Sequence, residues 1–145
     1  MSINERDYKS AKDKFSKSKF DEALKIIENV NEKDYDFYLL RSKIYFKINE
    51  FYLALKDLND GLYEKKDKPV PYQISSKCYL KMFDYWNAKR YLEEAKRLSS
   101  SSNENSIISK MIQNTEKENT ENSQKINGYN NSLFFMQVLY SSGYI

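Results

Sequence analysis

YLLRSKIYFKINEFYLALKDLNDGL, residues 38–62, aligns without a gap with YQISSKCYLKMFDYWNAKRYLEEAK, residues 72–96, and this internal repeat predicts the architecture. Six aligned positions carry the same kind of residue 34 positions apart: Tyr38 and Tyr72, Ser42 and Ser76, Tyr45 and Tyr79, Phe51 and Tyr85, Ala54 and Ala88, and Leu58 and Leu92. A repeat of this period indicates an array of helix-turn-helix hairpins.

A third copy of the repeat precedes these two. Residues 8–30, YKSAKDKFSKSKFDEALKIIENV, place small and aromatic residues at the corresponding positions: Ala11, Phe15, Phe20 and Ala23. Ala23 lies only 31 residues before Ala54, and the deletion falls between Val30 and Tyr38. We expect a loop there, because loops tolerate deletions.

Small residues mark where the two helices of each hairpin approach closely. We expect a small residue on each first helix to face one on the second: Ala11, Ser42 and Ser76 against Ala23, Ala54 and Ala88. On the second helices, spacings of four and three predict an apolar stripe: Ala23, Ile27 and Val30; Ala54, Leu58 and Gly61; Ala88, Leu92 and Ala95. Pro69 and Pro71 fit the start of the third hairpin's first helix, where a missing N–H is tolerated.

The segments FDEALKII, FYLALKDL and YWNAKRYL resemble the aromatic-x-x-Ala-x-x-x-hydrophobic signature of the tetratricopeptide repeat family. This resemblance implies an all-α superhelix, and we predict three such hairpins within residues 1–98.

The remainder of the chain is predicted to be a cap, a linker and a tail. Residues 99–120 should hold a capping helix with Ile107, Ile108, Met111 and Ile112 on one face, because a terminal repeat must cover its apolar side. Residues 121–132 have the composition of a polar linker. The apolar tail, residues 133–145, is predicted to be an orphaned β-strand or an internal ligand that folds back on the hairpins.

Composition excludes most chemistry. The chain of 145 residues has 24 basic and 21 acidic residues, no histidine and one cysteine, Cys78. Without histidine or a thiolate cluster, we expect no catalytic site, no metal and no cofactor. The small net charge of +3 argues against nucleic acid as a partner, and the apolar run in the tail is too short for a membrane span. The lone cysteine favours the cytoplasm, with the nucleus left open.

The concave face of such an array is the expected binding site. We predict a peptide-binding groove formed by Tyr8, Lys12, Leu39, Leu40, Lys43, Lys47, Gln73, Ile74, Lys77 and Lys81. Lys12, Lys43 and Lys77 occupy equivalent positions, as do Lys47 and Lys81, so a ladder of ammonium groups should flank an apolar strip. Such a surface suits an acidic peptide. The alternative interpretation is an ordinary solvated helix face.

The family resemblance also narrows the ligand. Chaperone-binding members hold a terminal carboxylate with a clamp of lysine, arginine and asparagine side chains. The matching positions here are Tyr8, Lys12, Leu40, Val70 and Ile74. Only one cation remains, so a chaperone's C-terminal tail is disfavoured as the ligand of this groove.

The layout further resembles the Sgt-type co-chaperone adaptors, which carry three such hairpins, a capping helix, a linker and then a β-sandwich called the CS domain. YWNAKRYLEEAKRL and IISKMIQNTEKENTE are similar to their third repeat and cap, and QVLYSSGYI to their first sandwich strand. This resemblance implies an adaptor between a Skp-type ubiquitin-ligase subunit and a chaperone. The alternatives are a self-associating scaffold, or an assembly or regulatory subunit that binds through a convex face bearing Trp86 and Tyr91.

Overall fold

A computed structural model describes residues 3–143 of the chain. Within this range the protein is entirely helical, and the helices follow one another as three hairpins and a long final helix. Their bounds are α1 Ile3–Ser16, α2 Phe20–Ile27, α3 Tyr35–Lys47, α4 Phe51–Glu64, α5 Pro69–Lys81, α6 Tyr85–Leu98 and α7 Ser102–Ser141. The predicted all-α superhelix of helix-turn-helix hairpins is confirmed.

The repeat positions predicted to be small are buried in the interior of the hairpins. Their side chains are all fully buried: Ala11, Ala23, Ser42, Ala54, Ser76 and Ala88. The stripes on the second helices are buried as well, through Ile27, Leu58, Leu92 and Ala95. Because a larger side chain would push the paired helices apart, these positions set the hairpin geometry.

The core consists of separate clusters in series rather than one central mass. The first joins hairpin α1–α2 to α3 through Ile27 and Phe37, and the second joins α4 to α5 through Leu58 and Cys78. The third joins α6 to α7 through Leu92 and Ile108. Each hairpin therefore packs internally and also against the next element in the series, as expected for a repeat array.

The same turn closes all three hairpins. Ser18, Asn49 and Phe83 have positive φ angles of 58°, 65° and 59°. In each case the next residue donates its N–H to a carbonyl five residues earlier, at 2.9 Å, which is the hydrogen bond of a Schellman motif. The sequence repeat therefore extends to backbone conformation.

Aspartate side chains cap the N-termini of α3 and α6. Asp34 Oδ1 accepts a hydrogen bond from Phe37 N at 2.9 Å, and Asp84 Oδ1 accepts one from Asn87 N at 3.1 Å. Pro69 lies in the first turn of α5, as predicted, since that turn needs no N–H donor.

The final helix differs from the prediction for the second half of its length. Residues 121–132, predicted as a linker, are helical, and so are residues 133–141, where the strand prediction is wrong. Tyr144 and Ile145 lie outside the described residues. The segment contains no proline and a single interior glycine, Gly128, so nothing interrupts helical hydrogen bonding once the first half of α7 has formed on α6.

The first half of α7 does act as the cap. Ile108 is fully buried, and Met111 and Ile112 pack against the same cluster, whereas Ile107 remains 52% exposed. The apolar side of α6 is therefore covered by α7.

Candidate functional site

The first helices of the hairpins form one continuous inner layer, in which α1 contacts α3 and α3 contacts α5. We call the lysine-bearing surface of this layer the groove; it carries Lys12 of α1, Lys43 and Lys47 of α3, and Lys77 and Lys81 of α5. All of these except the partly buried Lys43 are exposed.

Three of these lysines form an electrostatic cluster. Burial lowers the pKa of the Lys43 ammonium group, and the positive charges of Lys12 and Lys77 lower it further. A charge perturbs a neighbour in this way only at short range, since salt screens exposed charges beyond about 10 Å. Lys43 therefore lies within electrostatic range of the lysines at the equivalent positions of the two neighbouring repeats.

These lysines have no acidic partner in the part of the chain that the structure describes. Ion pairs within 4.0 Å join other lysines to carboxylates, such as Lys14 to Glu22 and Lys89 to Glu116. None of them involves Lys12, Lys43 or Lys77. An unpaired cluster with a depressed lysine pKa is suited to binding a carboxylate, because the added negative charge would relieve the mutual repulsion.

The apolar residues predicted for the groove lie mostly beneath it. Leu40 is 6% exposed and belongs to the first core cluster, and Ile74 is 8% exposed and belongs to the second. Leu39 packs against the second cluster as well. These side chains hold adjacent hairpins together, so the surface itself is more polar than predicted.

Tyr8 and Gln73 lie at opposite margins of the inner layer. Burial raises the pKa of the Tyr8 hydroxyl, and the negative charges of Asp36 and Asp34 add to this effect. Gln73 Nε2 donates a hydrogen bond to Glu104 Oε1 of α7 at 3.0 Å. The layer is therefore acidic beside Tyr8 and basic around Lys43, a division that the sequence pattern did not reveal.

The outer surface carries a second candidate site. Tyr52 and Trp86, 34 residues apart at equivalent positions, are 80% and 71% exposed. The Arg90 guanidinium lies 5.1 Å from the Trp86 ring centroid and 5.6 Å from that of Tyr91. An open cleft of about 590 Å³ lies between α4 and α6, with Tyr63, Tyr72, Arg90 and Tyr91 in its wall. The same 34-residue spacing could have identified the Tyr52 and Trp86 pair.

Comparison with protein-family models found no match, and comparison with curated proteins found none. Solved structures do match. The type III secretion translocator chaperone SycD of Yersinia enterocolitica superposes with a TM-score of 0.73 at 18% identity, over 81% of this chain and 88% of SycD. PcrH of Pseudomonas aeruginosa superposes with a TM-score of 0.72 at 17% sequence identity, over 79% of this chain and 94% of PcrH. The TPR2B domain of yeast Sti1 was solved as a complex with pHsp70. It superposes with a TM-score of 0.73 at 18% sequence identity, over 81% of this chain and 99% of the Sti1 domain.

These likenesses define the class of fold. The chain has a tetratricopeptide-like superhelical fold of helical hairpins. None of the helices described within residues 3–143 combines the length and the apolar character needed to cross a membrane.

Proposed function

We propose that this protein is a non-catalytic adaptor whose groove binds an acidic segment of a partner protein. The observation that carries the proposal is that Lys43 lies within electrostatic range of both Lys12 and Lys77, and that none of the three is in an ion pair among the described residues. The carboxylates of the partner would supply the missing negative charge. Lys47 and Lys81 would extend the contact along the groove.

Structural neighbours support a peptide as the ligand. SycD has been solved with a peptide of the translocator YopD, and PcrH with the chaperone-binding region of PopD. We infer that the present chain also binds a segment of a protein, and that charge selects this segment. The groove lacks the clamp for a terminal carboxylate, so internal Glu and Asp side chains should provide the recognition.

The test uses a labelled peptide of alternating Glu and Leu, with a Gln and Leu peptide as the neutral reference. Lys43→Glu combined with Lys77→Glu should weaken binding of the acidic peptide by at least about tenfold. The matched control is Lys25→Glu with Lys56→Glu, which makes the same change in net charge at exposed positions on α2 and α4. Equal weakening by both double variants would contradict the groove and leave only a general charge effect.

The role of the peptide terminus is tested separately. Acidic peptides with a free and an amidated C-terminus should bind equally well if internal carboxylates are recognised. A strong preference for the free carboxylate would contradict the inference that the groove does not bind a chaperone tail.

A finer proposal is an Sgt-like role, in which the partner is a Skp-type ubiquitin-ligase subunit and the setting is the cytoplasm. The three hairpins and the cap formed by α7 support it, whereas the strand of the resemblance falls on helical residues. Pull-down from cell extract with the full chain should retain the Skp-type subunit, and the double variant Lys43→Glu and Lys77→Glu should not. Retention of other proteins alone would leave a generic adaptor.

The exposed pair Tyr52 and Trp86 favours a second candidate, a regulatory subunit that binds through its outer surface. Trp86 is the only tryptophan, so its fluorescence reports directly on this face. A partner that docks there would shift the emission of Trp86, and Tyr52→Ala with Trp86→Ala would abolish binding. A partner held in the groove would do neither.

A further inference from the structure

One face of α7 carries a heptad pattern along almost the whole helix. Residues at alternating spacings of four and three form a single stripe: Ile108, Ile112, Thr115, Asn119, Asn122, Ile126, Tyr129, Leu133, Met136 and Tyr140. This spacing is typical of a helix face that packs against another helix.

The first half of the stripe is covered by α6. Ile108 and Thr115 are 0% and 2% exposed, and Ile108 packs against Leu92. The contact ends where α6 begins, because Asn122 Nδ2 donates a hydrogen bond to the hydroxyl of Tyr85, the first residue of α6. Beyond Asn122 the helix has left its neighbour.

The second half of the stripe is uncovered. Five large side chains along it are each at least half exposed: Ile126 57%, Tyr129 66%, Leu133 50%, Met136 54% and Tyr140 76%. Contiguous apolar surface of this kind marks an interaction site in a protein. The face is continuous with the existing α6–α7 interface, so its geometry is that of helix packing.

The absence of charge in this part of α7 indicates which kind of partner covers the exposed half of the stripe. Residues 126–143 contain no Asp, Glu, Lys or Arg. Helices that lie on membrane surfaces are rich in Lys and Arg on their polar face, which this segment lacks. A partner selected by charge would find no counter-ion. Two copies of the segment, in contrast, can meet without any repulsion between like charges.

We propose that residues 126–141 of α7 pair with the same residues of a second copy of this chain, forming an antiparallel two-helix seam that makes the protein a homodimer. The seam repeats the heptad packing of α6 on α7. Its interface is self-complementary, as a two-fold dimer requires.

The direction of pairing follows from the position of α6. Ion pairing of Lys89 with Glu116 and the hydrogen bond between Tyr85 and Asn122 show that α6 runs antiparallel to α7 along the stripe. In a parallel dimer, the α6 helices of both copies would occupy the gap of about 8–10 Å between the two α7 axes. In an antiparallel dimer, the second copy's helix lies in line with α6 and ends near Tyr85.

This arrangement predicts the register. Leu133 lies opposite Met136 of the second copy, and Tyr129 opposite Tyr140 of the second copy. The paired residues then alternate across the seam as in antiparallel coiled coils.

Sedimentation velocity of the full chain over a dilution series tests the dimer. The expected mass at high concentration is twice the 17.3 kDa of the chain, falling to one chain on dilution. Leu133→Glu, on the stripe, should shift the protein to monomer. Val138→Glu is the matched control, since Val138 is 44% exposed but points away from the stripe, and it should leave the dimer intact.

Several outcomes would overturn the proposal. A monomer at every concentration would do so, as would equal effects of Leu133→Glu and Val138→Glu, which would indicate unspecific adhesion. If the unmodified chain stays monomeric but sediments with phosphatidylcholine vesicles, the face binds lipid instead. If the monomer shows slow amide exchange over residues 133–140, the tail folds back on its own hairpins.

Cysteine cross-linking tests the direction independently. Under oxidation, a mixture of Leu133→Cys and Met136→Cys chains should form a disulfide dimer, whereas either chain alone should not. Cross-linking of Leu133→Cys alone would overturn the register. Cys78 does not interfere, because its side chain is fully buried.

Discussion

Arg41 of α3 and Asp57 of α4 form a two-point ion pair across the second hairpin: Arg41 Nε donates to Asp57 Oδ2 at 2.7 Å and Nη2 to Oδ1 at 2.8 Å. Asp57 is 1% exposed, and the guanidinium also lies 4.7 Å from the ring centroid of Phe37. The third hairpin has Ser75 and Tyr91 at the equivalent positions, so the ion pair is specific to one repeat.

Breaking this pair on the arginine side should be strongly destabilising. Arg41→Met leaves the buried Asp57 carboxylate without a partner, and we expect a loss of about 3–5 kcal/mol in the free energy of unfolding. Urea denaturation followed by circular dichroism measures it. The exposed pair of Arg97 and Glu94 is the control, since Arg97→Met should cost at most about 1 kcal/mol. Adding Asp57→Leu to Arg41→Met should recover most of the loss, and failure to do so would show that packing rather than charge is at stake.

Replacing Phe83 in the turn of the third hairpin should stabilise the protein. Phe83 adopts a left-handed conformation that disfavours most side chains, whereas Asn49 at the equivalent position is a residue that tolerates it. Phe83 is 71% exposed, so little packing is lost on replacement. Phe83→Asn should raise the free energy of unfolding by about 1 kcal/mol, and the reciprocal change Asn49→Phe should lower it by a similar amount. Thermal denaturation checks both, and changes of the same sign would contradict the explanation from backbone strain.

The positive charge of Lys43 should lower the free energy of unfolding, and the size of this effect should depend on pH. Because burial and two neighbouring cations lower its pKa in the folded state, the unfolded chain holds this proton more tightly. The loss of stability caused by the charged Lys43 is complete at pH values below its folded-state pKa. It decreases as the pH rises from there towards the ordinary value of 10.5. Lys43→Met, which keeps the apolar stem, should therefore raise the melting temperature at neutral pH by a few degrees.

The difference between Lys43→Met and the unmodified protein should shrink as pH approaches 10.5. Lys47→Met, at an exposed position of the same helix, is the control and should change the melting temperature less. A difference that grows with pH would contradict the assigned sign. Lys43→Met should also bind the acidic peptide more weakly than the unmodified protein, because the groove would lose a cation.

Cys78 should behave as a packed side chain rather than a reactive thiol. Burial raises its pKa to about 12, so almost no thiolate is present at neutral pH. Reaction with a chromogenic disulfide reagent should be slow in buffer and fast in concentrated urea, with one thiol released per chain. Equally fast reaction in both conditions would show that the second core cluster is open.

Much of the architecture follows from local pattern. The 34-residue repeat placed Ser42, Ala54, Ser76 and Ala88 at contacts between helices, and all four are fully buried. The repeat alignment also put Lys12, Lys43 and Lys77 at equivalent positions, and the charges of Lys12 and Lys77 lower the pKa of Lys43. Periodicity is informative here because every repeat solves the same packing problem with its neighbour.

Periodicity was less informative at the edges of a helix face. Leu40 and Ile74 occur one step from core positions and were predicted for the groove, but adjacent hairpins bury them. The acids beside Tyr8 come from the loop before α3 and from its first turn, which the repeat alignment omits. The stripe within residues 121–141 is interrupted by polar residues and faces no neighbouring helix of the chain, so composition favoured a linker and a strand where the helix continues.

Residue type and spacing along the chain are enough to predict the number of hairpins, the buried small positions of the paired helices and the absence of histidine chemistry. Three further features emerge only once the helices are placed in space: the ion pair of Arg41 with Asp57, the acidic and basic halves of the inner layer, and the uncovered half of α7. Each depends on which helix lies beside another and where that helix stops, and such distances through space have no fixed separation in sequence.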